Sequence, residues 1–187
     1  MIRFLVSMAL VCSCTFAVFS QKQEVANNSL SDIIKENNIQ PENVWLLIDK
    51  SDYTLSVWSG KSKLKEYPVV FGGNPVDDKL MQGDKCTPEG SFRIKSKYPH
   101  KKWSRFIWID YPNSLSWQKH NAAKTQGSIP QNASIGGEIG IHGVPRGMDF
   151  LIDIKYNWTL GCISLKNGDA EELYEHISAG TKVEIRK

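Results

Sequence analysis

The sequence predicts a mainly β domain carrying a few short helices, and three observations lead there. Apolar residues recur at every second position in short runs, as in Tyr53-Thr54-Leu55-Ser56-Val57-Trp58, Ile139 with Ile141, Ile163 with Leu165, and Val183 with Ile185. That is the period of a strand with one buried face. Only two short stretches, about Ser31 to Asn37 and Asn167 to Ile177, read as helices. Turn-forming residues separate the runs, at Ser59-Gly60-Lys61, Phe71-Gly72-Gly73 and Ala179-Gly180-Thr181.

Residues 1–20 place Arg3 before an apolar run from Phe4 to Phe19, followed by polar Gln21-Lys22-Gln23-Glu24, the layout of a secretory signal peptide. The run is short for a membrane span, which needs about 20 residues, so no stable span is expected after processing. Val18-Phe19-Ser20 suits cleavage before Gln21; a lipoprotein modified at Cys14 is the competing reading, opposed by hydrophobic Phe16 to Phe19. The 187-residue chain has a formal net charge of +3, and loss of Arg3 lowers it to +2, which is not a nucleic-acid signature. Two cysteines remain, Cys86 and Cys162. In an oxidising compartment a pair invites a disulfide, and a free nucleophile at Cys162 is the alternative.

Residues 21–43 are polar and read as a linker with one short helix stopped before Pro41, and residues 44–187 as one domain. Val44 to Asp49 reads as a buried strand, Tyr53 to Trp58 as a second and Leu64 to Val70 as a third. A turn-rich loop then leads through Gly83-Asp84-Lys85-Cys86-Thr87-Pro88-Glu89-Gly90 into a strand at Phe92-Arg93-Ile94. Lys95, Lys97, His100, Lys101, Lys102 and Arg105 make a basic stretch around Trp103, either a solvated face or a hold on an anionic polymer. Phe106 to Asp110 reads as a strand, and residues 114–137, including His120, as a long surface loop bordering a substrate groove. After Cys162, Asn167 is placed to cap a helix with Leu173 and Ile177 on its inner face. A last strand, Lys182 to Arg186, turns Val183 and Ile185 inward.

The chemistry concentrates in Ile141-His142-Gly143 and, twenty positions after the histidine, Thr159-Leu160-Gly161-Cys162-Ile163-Ser164-Leu165. A thiol attacks as its thiolate, and imidazole is the side chain suited to take its proton near neutral pH. Parity puts His142 opposite in facing to Ile141, and Cys162 and Ser164 opposite to Ile163 and Leu165. If the two strands are neighbours, His142 and Cys162 meet on one face. Gly143 and Gly161 remove side chains where a substrate backbone would approach. The residues alone also allow a packed cysteine and a structural histidine. A metal site is the other use of these residue types, yet no close Cys-x-x-Cys or His-x-x-x-His pair is present.

His-Gly, a variable gap, and Thr-x-Gly-Cys-Ile closely resemble the L,D-transpeptidase (YkuD-type) catalytic domain family of bacterial cell-wall enzymes. The resemblance extends over Val44 to Arg186 and includes Gly-Asp-x-x-Thr-Pro-x-Gly at residues 83–90, where Cys86 stands in place of a commonly basic residue. It implies a sandwich-like β domain in the periplasm or cell envelope, cysteine acyl transfer on peptidoglycan tetrapeptide stems, and no cofactor. Cys162 would be the nucleophile, His142 the general acid and base, and Gly143 the residue whose carbonyl orients the imidazole. The Gly161 and Cys162 N–H groups would stabilise the oxyanion. The acceptor would be an amine of a second stem or an envelope protein. Two residues after the nucleophile, where relatives commonly carry Arg or Asn, this chain has Ser164. That suggests a wider pocket lined by Ser164 and Thr159, with Arg146 supplying the charge. A hydrolase or carboxypeptidase using the same thioester, and a wall-binding module with Cys162 bonded to Cys86 or buried, are the rival readings.

Overall fold

The computed structural model describes residues 28–187; the expected signal peptide, its cleavage before Gln21 and the alternative at Cys14 lie outside the described residues. Among those described, no helix is long and apolar enough to cross a membrane. The strands are β1 (Val44–Asp49), β2 (Thr54–Ser59), β3 (Ser62–Pro68), β4 (Gly90–His100), β5 (Ser104–Ile109), β6 (Gly140–Gly143), β7 (Ile163–Leu165) and β8 (Lys182–Arg186). They form one sheet in the order β3-β2-β1-β8-β4-β5-β6-β7.

Pairing follows from connection length. Tight turns join β1 to β2 and β2 to β3 as antiparallel hairpins, whereas β8, arriving from the far end of the chain, lies parallel to β1. The eleven residues of β4 serve two partners: Gly90 to Arg93 pair with β8 and Ile94 to His100 with β5, with a register shift between Ile94 and Ser96. Such an irregularity increases local twist and lets one strand pass between two halves of a curved sheet. β6 is antiparallel to β5 and parallel to β7. Beyond β3, Val70 pairs with Ser164 on β7, so the sheet's two ends meet and the architecture is a near-barrel. This is the mainly β fold with short helices that the strand periodicity predicts.

Four helices complete it: α1 (Leu30–Glu36), α2 (Ser114–Thr125), α3 (Phe150–Asp153) and α4 (Asn167–His176). Ala170 and Leu173 of α4, with Ile177 beyond it, join Ile107, Ile141, Ile163 and Leu165 in the main core. The inner faces of β5, β6 and β7 are thus covered by α4, and their opposite faces carry the site. α1 is capped by Ser29, whose hydroxyl accepts from Asp32 N–H. Its fully buried Leu30 contributes roughly 1.5–3 kcal/mol to holding the helix on the domain. Glu172 of α4 accepts from Leu30 N–H, Lys65 Nζ and Tyr67 Oη. The segment expected to be a linker therefore supplies part of the core.

Two expectations are corrected. Residues 114–125, expected as loop, are α2, begun by a reciprocal cap between Asn113 and Ser116. Its buried residues are Ser116, His120 and Ala123, while Leu115 and Trp117 are exposed. A stripe of small and polar residues carries no apolar period to read. Asn167 does not cap α4: Lys166 holds the N-cap position, and Asn167 is the first helical residue, its N–H donating to Asp149 Oδ1 at 2.9 Å.

Candidate active site

β6 and β7 run side by side with Ile141 against Ile163, His142 against Ser164 and Gly143 against Leu165. The shared register puts His142 and Ser164 on one face, and the turn carrying Cys162 enters β7 beside Gly140. Glycine is required at position 140, because a Cβ there would lie 2.5 Å from the Phe106 ring.

His142 is buried, and its Nδ1 lies 2.7 Å from Gly143 O. A carbonyl can only accept, so Nδ1 carries the proton and Nε2 is left with a free lone pair. Gly143 is itself held, its N–H donating to Trp103 O at 3.0 Å. A Cβ on Gly143 would stand 2.2 Å from Asn167 Oδ1 and 2.7 Å from Trp103 O. Any other residue there would displace the carbonyl that orients the ring. Trp103 stacks on the imidazole at 4.5 Å, Phe106 at 5.5 Å, and Trp158 meets it edge-on at 5.6 Å. This aromatic enclosure strips water from the ring. Burial pushes the His142 pKa down to about 4, with the Gly143 carbonyl opposing and the charge of His100 adding to the fall.

Cys162 is a free, partly exposed thiol whose Sγ reaches Glu138 O at 3.5 Å. Burial pushes its pKa up to about 11, while the Gly140 N–H and the distant Lys79 favour the thiolate and Glu138 opposes it. Both groups therefore rest neutral at pH 7. A neutral imidazole is the form able to take a proton, and a neutral thiol is the form that has one to give.

Three expected site residues do other work. Thr159 is buried; its hydroxyl donates to Cys162 O at 2.7 Å and accepts from Gly161 N–H at 3.1 Å. It braces the turn. The same bond occupies the Gly161 N–H. Gly161 adopts φ +138°, with room for a Cβ denied by Cys86 O at 2.7 Å. Ser164 is fully buried, its backbone paired both ways with Val70 and its Oγ without a hydrogen-bond partner among the described residues. The sheet closes beside it at Val70, and the position that parity sets next to His142 is buried. Arg146 is exposed after β6, and no hydrogen bond or ion pair among the described residues ties it to His142 or Cys162.

Cys86 is buried and free, so no Cys86–Cys162 disulfide is present. Its Sγ donates to Asp84 O at 3.4 Å. Burial and then the Asp84 charge push its pKa up to about 11. The loop around it is braced by ion pairs Lys50–Glu89 and Lys79–Asp84, both 2.7–2.8 Å and nearly solvent-free at the lysines. Sequence reasoning missed Trp103, Phe106 and Trp158, because nothing in a basic hairpin tip or a strand says which ring it will cover. Among the described residues, no three His, Cys, Asp or Glu side chains converge as a metal site.

The YkuD family model, the L,D-transpeptidase catalytic domain, matches residues 43–185. No curated protein matches the chain. Among solved structures, it is similar to the helical cell shape determining protein Pgp2 from Campylobacter jejuni, at 24% identity and TM-score 0.58, over 84% of this chain and 55% of that one. Bd1075 from Bdellovibrio bacteriovorus matches at 20% identity and TM-score 0.55, over 78% of this chain and 48% of that one. An L,D-transpeptidase from Mycobacterium smegmatis matches at 16% identity and TM-score 0.51, over 78% and 59%. The chain thus spans 48–59% of the length of these three structures, and at these identities they establish a shared fold. With the family model covering the sheet from β1 to Ile185 of β8 and both segments that carry His142 and Cys162, the chain belongs to the L,D-transpeptidase catalytic domain family of cell-wall enzymes.

Proposed function

We propose that the protein is an exported acyltransferase acting on peptidoglycan tetrapeptide stems in the periplasm or cell envelope, with Cys162 as nucleophile and His142 as its acid-base partner. The observation that carries this reading is the held tautomer: Nδ1–H on the Gly143 carbonyl leaves Nε2 as the base, on the strand beside the Cys162 turn. Cys162 Sγ attacks the carbonyl of the third stem residue as its proton passes to Nε2. The new C–S bond forms a tetrahedral oxyanion, for which the Cys162 N–H is the assigned donor, since that of Gly161 is engaged by Thr159. Collapse breaks the C–N bond, and the imidazolium returns its proton to the departing D-alanine amine. An acceptor amine then attacks the thioester, gives a proton to Nε2, and releases the thiol. No cofactor enters these steps.

The aromatic walls fit this cycle. The imidazolium formed after the first proton transfer is costly in a dry site, and the Trp103 face offsets part of that cost by cation–π attraction. Mass analysis of purified disaccharide-tetrapeptides incubated with the enzyme, with and without an acceptor stem, tests the reading. Loss of D-alanine with a new cross-linked product supports transfer. Loss of D-alanine with a free tripeptide alone assigns a hydrolase, and unchanged substrate removes the enzymatic reading.

A further inference from the structure

The outer face of the sheet continues past His142 and Cys162 onto β5 and β4. Register places Tyr98 opposite Phe106, Phe106 opposite His142, and His142 opposite Ser164. The adjacent row runs Ser96, Trp108, Gly140 and then the Cys162 turn. In that second row Trp108 is the only large side chain, standing between a serine and a glycine over which the Phe106 ring leans, so the path from Trp108 to the thiol is floored by that ring. Tyr98 is 40% exposed and Trp108 half-buried. Tyr98 stacks on Phe106 at 5.6 Å, its hydroxyl lies 3.4 Å from Trp108 Nε1, and Lys95 Nζ sits 5.6 Å above the Trp108 ring. Lys101 and Lys102 are exposed at the tip of the same hairpin.

We infer that this aromatic face of β4 and β5 is a saccharide subsite, holding the N-acetylated amino-sugar strand to which the reacting stem is attached. The inference rests on the stem-peptide reading above and adds what lies beyond the peptide. Pyranose rings have one face of C–H groups that packs on an aromatic ring, and hydroxyl and acetamide edges that need partners such as the Tyr98 hydroxyl. The lysines complement carboxylates along the wall polymer. Reach agrees: β5 and β7 lie two strand spacings apart, about 10 Å, and three extended residues span about 10–11 Å at most. A stem whose third carbonyl sits at Cys162 is therefore long enough to lay its sugar over Trp108.

Two measurements test this. The full chain carrying Cys162→Ala is titrated by calorimetry with peptide-free oligosaccharides of alternating N-acetylglucosamine and N-acetylmuramic acid. Saturable binding is expected, weakened at least about fivefold by Trp108→Ala and by Tyr98→Ala. Trp108→Leu replaces the alanine variant if that one unfolds, and exposed Tyr98 tolerates truncation. In parallel, kcat/KM is compared for disaccharide-tetrapeptide and free tetrapeptide. The sugar-bearing donor is expected to be favoured, and its advantage to shrink by a similar factor in Tyr98→Ala. An oligosaccharide that fails to bind, or binds the variants as well as the parent, overturns the inference. Binding without turnover of either donor keeps the subsite and removes the transferase reading, whereas turnover with no oligosaccharide binding does the reverse.

Discussion

Two regions of this molecule each hold a buried histidine and a free cysteine: His120 with Cys86 in α2 and the loop before β4, and His142 with Cys162 on β6 and the turn into β7. They share more than composition. His120 Nδ1 donates to Leu80 O at 2.6 Å as His142 Nδ1 does to Gly143 O at 2.7 Å. Both thiols are pushed up to about 11, with burial the largest cause. A held tautomer and a raised thiol are therefore common to both regions, and what sets the second apart is that its held imidazole lies on the strand beside the turn of a partly exposed thiol. The surroundings differ. The first region is packed with charge, with Asp84 accepting from Lys79, Leu80, Met81 and Cys86, and Lys119 paired with Asp78. These buried and half-buried charges are partnered with one another and with backbone N–H groups, which is the requirement for burying them. In the second, the imidazole is enclosed by aromatic rings, the thiol is partly open to solvent, and positions 140 and 143 are glycines because neighbouring groups take the space a Cβ would need. One arrangement is closed and braced by charge, and the other sets a neutral imidazole on the strand beside the turn of a partly exposed thiol.

The largest expected contrast is in turnover. Cys162→Ala is expected to abolish it and His142→Ala to reduce it by at least about 100-fold. Cys86→Ser and His120→Gln are expected to stay within a few-fold per folded molecule. Steady-state rates on a tetrapeptide donor, normalised to folded protein, make the comparison; an equal loss at His120 would erase the distinction.

Stability against pH separates the regions next. The folded His142 value of about 4 lies below the unfolded value near 6.5. Between these values the unfolded chain binds a proton that the folded one refuses. The contribution is thus complete above about pH 6.5 and is lost as pH falls toward 4, amounting to roughly 3 kcal/mol. Urea midpoints measured from pH 7 to 4 should fall less steeply in His142→Gln than in the parent. Parallel curves would show that the ring is not held neutral by burial.

A smaller effect tests the aromatic wall. Trp103→Ala removes both the ring stacked on His142 and part of the packing behind the Gly143 carbonyl, and should lower kcat about tenfold. Since a role in holding the imidazolium acts on the reaction and not on substrate affinity, KM should change little, and Trp103→Phe should recover part of the loss. A fall in stability with kcat unchanged would make Trp103 a packing residue only.

The smallest contrast lies in the thiols. Iodoacetamide at pH 7 should label both slowly, because neither is much ionised, yet Cys162 ahead of nearly inaccessible Cys86. Peptide mass mapping over time gives the order. Labelling of Cys86 first would mean that the braced loop opens more readily than its ion pairs imply.

What the sequence determined by itself was whatever repeats at short range. Alternation at Thr54 to Ser59 and at Lys182 to Arg186 defines strands whose inward residues are Leu55, Val57, Val183 and Ile185. Parity likewise sets His142 and Ser164 apart from Ile141 and Ile163, whatever the rest of the chain does. Tertiary structure alone decided which of those positions stay open. Ser164 and Cys162 share a parity, but Ser164 is buried where Val70 returns from beyond β3 to pair beside it, whereas Cys162 lies in the turn between the bridges at Ser164 and Thr159 and stays partly exposed. Trp103, at a hairpin tip among lysines, became the ring stacked on His142 only because β4 and β5 bring it there. α2 was invisible because its buried stripe is Ser116, His120 and Ala123. Local sequence sets a side chain's direction, which is a property of the backbone beneath it. Exposure, pKa and reactivity depend on what lies above it, and that is supplied by segments distant in the chain.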